Sequence, residues 1–386
     1  MFKYSIVICC LYGLLLANVA GAQNRKKWDC DRSAPGENIC RHYTGTIGDR
    51  KVSLDLKYGF CGSSNYGGSY FYYTDTRETR YIMIGEPENT KHDATLFAED
   101  YALGENWVKI RSTAGEKRVP MWEFVIGEGV ITGEWHSGDG KINKPIQLKE
   151  TTNSVLFDLV RTSEVFKNAG TNNPNAKCEN AYVGVVTTAA HDNSEKEFIN
   201  QEICNMVAPS YSGTAGIKAM PAYLNKTNFA KYMGDAVKPE NAGKTPDNAT
   251  FMTFLLPVYR SNGMLVVDHY DYEYAFNITR RHTYKCIDYD EKKVWKLDDV
   301  LLGERNEVKE LLRREYELQV TNQELKQALP IANIQPDDNF MILPGGLAFS
   351  YHVNDNRNFL DEVILFIPYS KLKGSLRPAF SSRMKL

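Results

Sequence analysis

Thr162 to Lys177 reads TSEVFKNAGTNNPNAK, and this stretch separates two parts of the chain that are patterned differently. Asn, Gly, Pro and Lys fill its second half. Such a composition offers little apolar surface to bury and many turn formers, so it reads as a linker, placed at residues 172–177. Upstream, from Tyr43 to Glu150, short apolar alternations are broken by Gly, Asp and Asn. Val52, Leu54 and Leu56 fall on one face of a strand, and residues 70–73, 81–84, 107–110, 122–126 and 131–135 are the other strand candidates. The segment from Gly133 to Gly140 has the form of strand ends and hairpin turns. Residues 23–171 are therefore expected to be a small all-β domain, as a sheet, sandwich or barrel.

Downstream, helical and strand periods mix, which predicts an α+β domain over residues 178–386 with a mostly antiparallel sheet packed by helices. Helices are expected at Ser194–Met206, with Phe198, Ile199 and Ile203 on one face, and at Leu224–Val237. Strands are expected at Tyr182–Thr188, Phe251–Tyr259, Met264–Tyr274 and Tyr284–Asp288. The clearest helix is Arg305–Leu318, where Val308, Leu311, Leu312 and Tyr316 share a face and Glu and Arg cover the rest. Thr321 and Glu324 have capping-box spacing. Strands at 339–343, 347–351 and 363–368 close the chain.

The first residues carry one cation, Lys3, then an apolar run from Ile6 to Val19, then Ala20-Gly21-Ala22. This is the pattern of a secretory signal peptide, residues 1–22, cut before Gln23. The run is shorter than the ~20 apolar residues that span a bilayer, which argues against a membrane anchor and a stable span in the mature chain. Cys9 and Cys10 lie inside the run rather than after it, which argues against a lipid anchor. Loss of Lys3 moves the formal charge from −2 to −3, so the chain has no net basic character to attract nucleic acid.

Export also frames the cysteines. The mature chain keeps Cys30, Cys40, Cys61, Cys178, Cys204 and Cys286, an even set in an oxidising compartment. Sequence proximity favours Cys30 with Cys40 and Cys178 with Cys204, leaving Cys61 with Cys286 as a staple between the domains. No CxxC or His-Cys spacing suggests a metal.

Catalysis would need a nucleophile, a base and a group that orients it, or carboxylates paired across a cleft. No nucleophile elbow, zinc-protease motif, Walker loop or EF-hand loop is present. The seven histidines, at 42, 92, 136, 191, 269, 282 and 352, share no metal-ligand spacing. Asp268, Asp271, Glu273, Asp288 and Asp290 are the densest acidic group; they read as solvated strand faces and a turn in preference to a cation site. No catalytic residue, metal ligand or cofactor is expected. Aromatic residues are more suggestive. Tyr70 and Tyr72 belong to a first-domain cluster; Tyr270, Tyr272 and Tyr274 alternate along one strand and so share a face. These five are the candidate binding platform, because Tyr joins a large apolar area to a polar tip; the competing reading is sheet core. Asn225, Asn248 and Asn277 begin Asn-x-Ser/Thr triplets, which read as chance.

Three C-terminal segments occur in a telling order: Asp288 to Leu301 (DYDEKKVWKLDDVL), Asn339 to Tyr351 (NFMILPGGLAFSY) and Val363 to Leu372 (VILFIPYSKL). Over residues 178–380 this order and spacing resemble the extracellular domain shared by the anti-sigma factor RsiV, the deacetylase PdaC and other secreted bacterial proteins. The Gly-Gly-Ala-His-Gly type loop of that family is absent here; Tyr272-Glu273-Tyr274 is followed by Ala275-Phe276-Asn277-Ile278-Thr279, so properties of the loop do not carry over. The resemblance implies a non-catalytic exported domain, which recognises lysozyme in RsiV and accompanies carbohydrate chemistry in PdaC. The expectation is a secreted or periplasmic binding protein whose partner is a lysozyme-type hydrolase or cell-wall glycan. A carbohydrate-active enzyme or accessory module, and an effector or antigen engaging host surfaces, are the alternatives.

Overall fold

The computed structural model describes residues 39–58, 68–84, 96–103, 119–151, 155–167, 177–189, 192–211, 217–236, 238, 241, 248–276, 278–303, 305–320, 323–353 and 362–386. The signal segment, Cys30, Cys61, the strand expected at 107–110, residues 172–176 of the linker, His92, His191, Asn277 and Thr321 lie outside these residues.

The first domain is a closed antiparallel barrel. Its strands are β1 (Ile39–Ile47), β2 (Arg50–Tyr58), β3 (Gly68–Tyr73), β4 (Thr79–Ile84), β5 (Leu96–Ala102), β6 (Met121–Ile126), β7 (Val130–His136) and β8 (Asn143–Glu150). Each pairs with its neighbour in sequence, and β8 returns to β1 with Ile146 opposite Ile47. Closure leaves no open sheet edge. The period of two explains the filling: along β6, Trp122 and Phe124 point inward while Met121, Glu123 and Val125 are exposed. Val52, Leu54 and Leu56 meet Phe71, Ile82 and Leu148 in the same interior.

β9 (Leu156–Lys167) leaves the barrel and becomes the edge of a six-stranded sheet. The sheet continues with β10 (Lys177–Ala189), β11 (Asn248–Ser261), β12 (Met264–Tyr274), β13 (Ile278–Asp288) and β14 (Lys293–Trp295), in the order β14-β13-β12-β11-β10-β9. Only β10 and β11 run parallel. The stretch from Thr162 to Lys167 is thus strand, with Thr162 opposite Tyr182, and belongs with the second sheet rather than the first domain. An edge strand tolerates the exposed Ser163 and Glu164, while Phe166 is anchored by stacking on Phe229 at 4.5 Å.

Helices α1 (Asn193–Val207) and α2 (Met220–Ala236) cover one face of this sheet. Asp192 caps α1 by accepting from the Glu195 amide at 2.8 Å. Ile199 and Ile203 meet Tyr182, Leu255 and Leu265 beneath it. Further elements build the other layer: α3 (Leu297–Val300), α4 (Asn306–Gln319), α5 (Gln323–Ala328), an antiparallel sheet of β15 (Phe340–Leu343), β16 (Gly346–His352) and β17 (Glu362–Pro368), then α6 (Tyr369–Leu372) and α7 (Pro378–Met384). Val308, Leu312 and Tyr316 of α4 are buried at helical spacing. Their core also takes in Tyr70, Tyr101 and Leu103 of the barrel, so one hydrophobic body spans both domains. No helix among the described residues is long and apolar enough to cross a membrane.

Candidate functional site

A cleft of about 550 Å³ opens where the barrel meets the second domain. One wall is the turn between β3 and β4, residues 74–78. Its Asp75 accepts from the Thr76 amide, and Arg77 holds a left-handed backbone (φ 59°) and donates its amide to the Tyr73 carbonyl. That conformation is uncommon for a residue with a side chain. It aims the guanidinium at the second domain, where Nη1 and Nη2 donate to the carbonyls of Met384 and Lys385 at 3.0 and 3.1 Å. Three residues on, Arg80 also lines the cleft, with Nε 2.6 Å from buried Asp100 and Nη1 2.9 Å from Glu78. Burial pushes the Asp100 carboxyl upward, and Arg80 and the indole N–H groups of Trp135 and Trp122 pull the other way.

The opposite wall comes from β17, α6 and the turn between β15 and β16. Gly345 in that turn lies against the barrel, its amide donating to Thr79 Oγ1 at 3.1 Å. A Cβ there would stand 2.5 Å from the Arg77 carbonyl oxygen, so the approach requires glycine. Phe366, Pro368 and Tyr369 supply an apolar floor. Lys371 adds a cation, paired with Glu315 of α4 at 2.6 Å. Lys371 also borders a second groove of about 470 Å³, lined along α4 by Glu307, Glu310, Leu311 and Arg314.

Two histidine clusters lie elsewhere. On the barrel's outer wall, Ser53 Oγ is 3.2 Å from His42 Nε2, and His42 Nδ1 is 3.1 Å from Asp55 Oδ1. The connectivity is that of a hydrolytic triad, but all three side chains are buried, and Asp55 also accepts from Arg260 Nε at 2.7 Å. Nucleophilic attack needs room for a substrate at the serine, and this serine is 3% exposed. Burial works to raise the Asp55 carboxyl; the charges of His42 and Arg260 outweigh it and hold the group below its ordinary value. In the second domain, His282 Nδ1 contacts both Asp268 oxygens at 3.0 and 3.1 Å, and Nε2 stands 3.9 Å from Glu362. Glu362 also accepts from Tyr284 and Ser350. Burial, with Asp268 and Glu362 nearby, pushes the Tyr284 hydroxyl well above its usual value.

The tyrosine platform is corrected in part. Tyr70 is buried beside Tyr81, with ring centroids 4.9 Å apart, and Tyr72 meets Tyr259 of the second domain edge-on. The outer barrel face at β3 packs against the second domain, which removes Tyr70 from solvent and leaves Tyr72 half-buried. Tyr270 is buried against the His282 ring at 4.4 Å, Tyr272 is half-buried, and Tyr274 is exposed. The cysteines also differ from expectation. Cys40, Cys178, Cys204 and Cys286 are buried free thiols, so Cys178 and Cys204 are not bridged. Cys178, on β10, sits with Tyr232 and Phe251 under α2, whereas Cys204 belongs to α1 and lies in the same core as that helix's Ile199 and Ile203.

The acidic group disperses into separate pairs: Asp268 with His282, Asp271 with His269, Glu273 with Lys231, and Asp288 and Asp290 with Arg383. Among the described residues, no group of three or more His, Cys, Asp or Glu is arranged to hold a metal ion. Sequence reasoning missed Arg77, Arg80, Glu315 and Lys371. Asp75 and Thr76 mark a turn, but nothing in the sequence tells that Arg77 takes the left-handed position or that α6 faces it.

No protein-family model and no curated protein matches the chain. Among solved structures, a DUF3298-family protein from Bacteroides fragilis aligns with a TM-score of 0.48 at 20% identity, over 61% of this chain and 98% of its own. A DUF3298-family protein from Pseudomonas aeruginosa aligns with a TM-score of 0.36 at 14% identity, over 58% of this chain and 96% of its own.

Proposed function

We propose that this chain is an exported, non-enzymatic binding protein, secreted or periplasmic after cleavage near Ala22, and that its partner engages the cleft between barrel and second domain, a glycan by entering it or a protein by a projecting side chain or loop. The cleft is the observation that supports this reading. It combines an apolar floor at Phe366 and Tyr369 with charged side chains at its rim, the mix by which small-molecule sites gain affinity and orientation. The partners proposed are a lysozyme-type hydrolase or a cell-wall glycan. Titration of the purified chain with lysozyme and with soluble wall fragments, alongside a lysozyme activity assay, tests both. Absence of both binding and inhibition at micromolar concentration ends the reading.

One observation favours a second reading, a carbohydrate-active enzyme: His282 stands between Asp268 and Glu362, a histidine flanked by two carboxylates. Muropeptide turnover that disappears in His282→Ala supports it. Intact muropeptides after prolonged incubation sink it.

A further inference from the structure

The three cations of the cleft are equalled in number by the carboxylates around them, but they are not equally paired. Arg80 is answered by Glu78 and Asp100, and Lys371 by Glu315. Arg77 differs, because its two guanidinium bonds end on the carbonyls of Met384 and Lys385. Carbonyl oxygens satisfy N–H donors without neutralising their charge. Among the described residues no carboxylate is in ion-pair contact with Arg77, so a full positive charge remains at the rim.

The backbone supplies an independent observation. Arg77 occupies a left-handed conformation that glycine or asparagine adopts more readily. A side chain held in such a place points to a role that outweighs the strain. Capping α7 accounts for two N–H groups and leaves the charge available to the cleft, beside the apolar floor of Phe366 and Tyr369.

We propose that the cleft takes a carboxylate-bearing ligand, with the anion at Arg77 and the uncharged body along Phe366 and Tyr369. This rests on the reading of the cleft as the binding site. Guanidinium meets carboxylate through parallel charge-assisted hydrogen bonds, which gives the preference both strength and geometry. The same chemistry is offered by an acidic sugar and by a peptide α-carboxylate.

Calorimetric titration of the full chain separates the cases. The probes are N-acetylglucosaminyl-N-acetylmuramic acid, its neutral counterpart N,N'-diacetylchitobiose, N-acetyl-trialanine and the neutral N-acetyl-trialanine amide. A preference of about tenfold or more for either acid over its neutral partner is expected, the scale of a charge-assisted pair. The pair that shows it identifies the source. Raising the ionic strength should weaken the acid and leave the neutral compound unchanged. Arg77→Gln should abolish the preference; Arg77→Gly should do the same with the backbone strain relieved, which guards against a folding defect. Equal binding of acids and neutral partners overturns the carboxylate inference and leaves the cleft as a binding site. Absence of binding by all four at millimolar concentration overturns both.

Discussion

Asp55 of the barrel and Arg260 of the six-stranded sheet form an ion pair in which both side chains are almost wholly buried. Arg260 Nε lies 2.7 Å from Asp55 Oδ1, and the Arg260 backbone amide donates to Oδ2 at 2.9 Å. A third bond, from Arg260 Nη1 to the Val155 carbonyl at 2.9 Å, ties in the segment that leaves the barrel. The two domains are therefore joined by a buried charge pair as well as by their shared core, and the cleft lies along the same junction.

Removing one partner strands the other in a low-dielectric interior. Arg260→Ala should destabilise the chain by about 3–5 kcal/mol, the usual cost of breaking a buried pair. The double variant Asp55→Asn with Arg260→Met should lose less than Arg260→Ala alone, since neither the carboxylate nor the guanidinium is left without the other and the Asn side chain can still hydrogen-bond His42. Urea unfolding of the three proteins measures both, and an Arg260→Ala chain as stable as the parent would count decisively against the pairing.

Acid should act on Asp55 in one direction and on Asp337 in the other. Asp55 is held below its ordinary value, so its contribution is present above about pH 4 and is lost as pH falls through its lowered folded value. Burial, with Asp338 adjacent, pushes the Asp337 carboxyl up to about 6. A raised carboxyl means the folded state binds the proton more tightly than the unfolded chain. Its favourable contribution is therefore complete below about pH 4 and disappears as pH rises through about 6. Asp337→Asn should flatten the stability profile across that interval, read as the unfolding midpoint at several pH values.

Gly345 offers a way to disturb the cleft without touching its charges. Gly345→Ala places a methyl 2.5 Å from the Arg77 carbonyl and 3.2 Å from Thr79 Oγ1, so the turn must retreat from the barrel. The expected cost is about 1–3 kcal/mol, as for other over-packed contacts. Any ligand that uses both walls should bind more weakly, while Gly374→Ala, with open space around its Cβ, should change neither stability nor binding.

Much of the fold is legible from period alone. The helix over residues 306–319 and the strands around Val52, Trp122, Met264 and Leu347 follow from which residues must be buried. The boundary was less legible. Residues 156–167 form an edge strand, where one side of the ladder is unpaired and polar residues are tolerated, so their composition resembles a loop. The site was least legible, because it depends on register and docking. His42 stands opposite Asp55 only once β1 and β2 are aligned, and Arg77 meets α7 across 307 residues of chain. The burial of Tyr70 and Tyr270 was hidden for a related reason. Alternation tells which residues share a face, and what covers the face is decided by another domain.

The four described cysteines carry the last prediction, since a buried thiol and a disulfide both resist alkylation of the folded protein and part company in denaturant. Burial pushes Cys40 and Cys178 up to about 11 and Cys286 to about 12, far from the thiolate form that reacts. Cys286 also serves the fold as a thiol: it donates to the Phe340 carbonyl at 3.5 Å and accepts from the Ile342 amide at 3.3 Å, linking β13 to β15. Iodoacetamide should therefore leave all four unmodified in buffer. In denaturant without reductant it should label all four, as read by peptide mass mapping. Labelling of Cys178 and Cys204 only after reductant is added would restore the bridge between them, and with it a cross-link from β10 to α1. Labelling without reductant leaves the domains held by packing and by the Asp55–Arg260 pair, so that Arg260→Ala, rather than a reducing agent, is the change that should open the cleft.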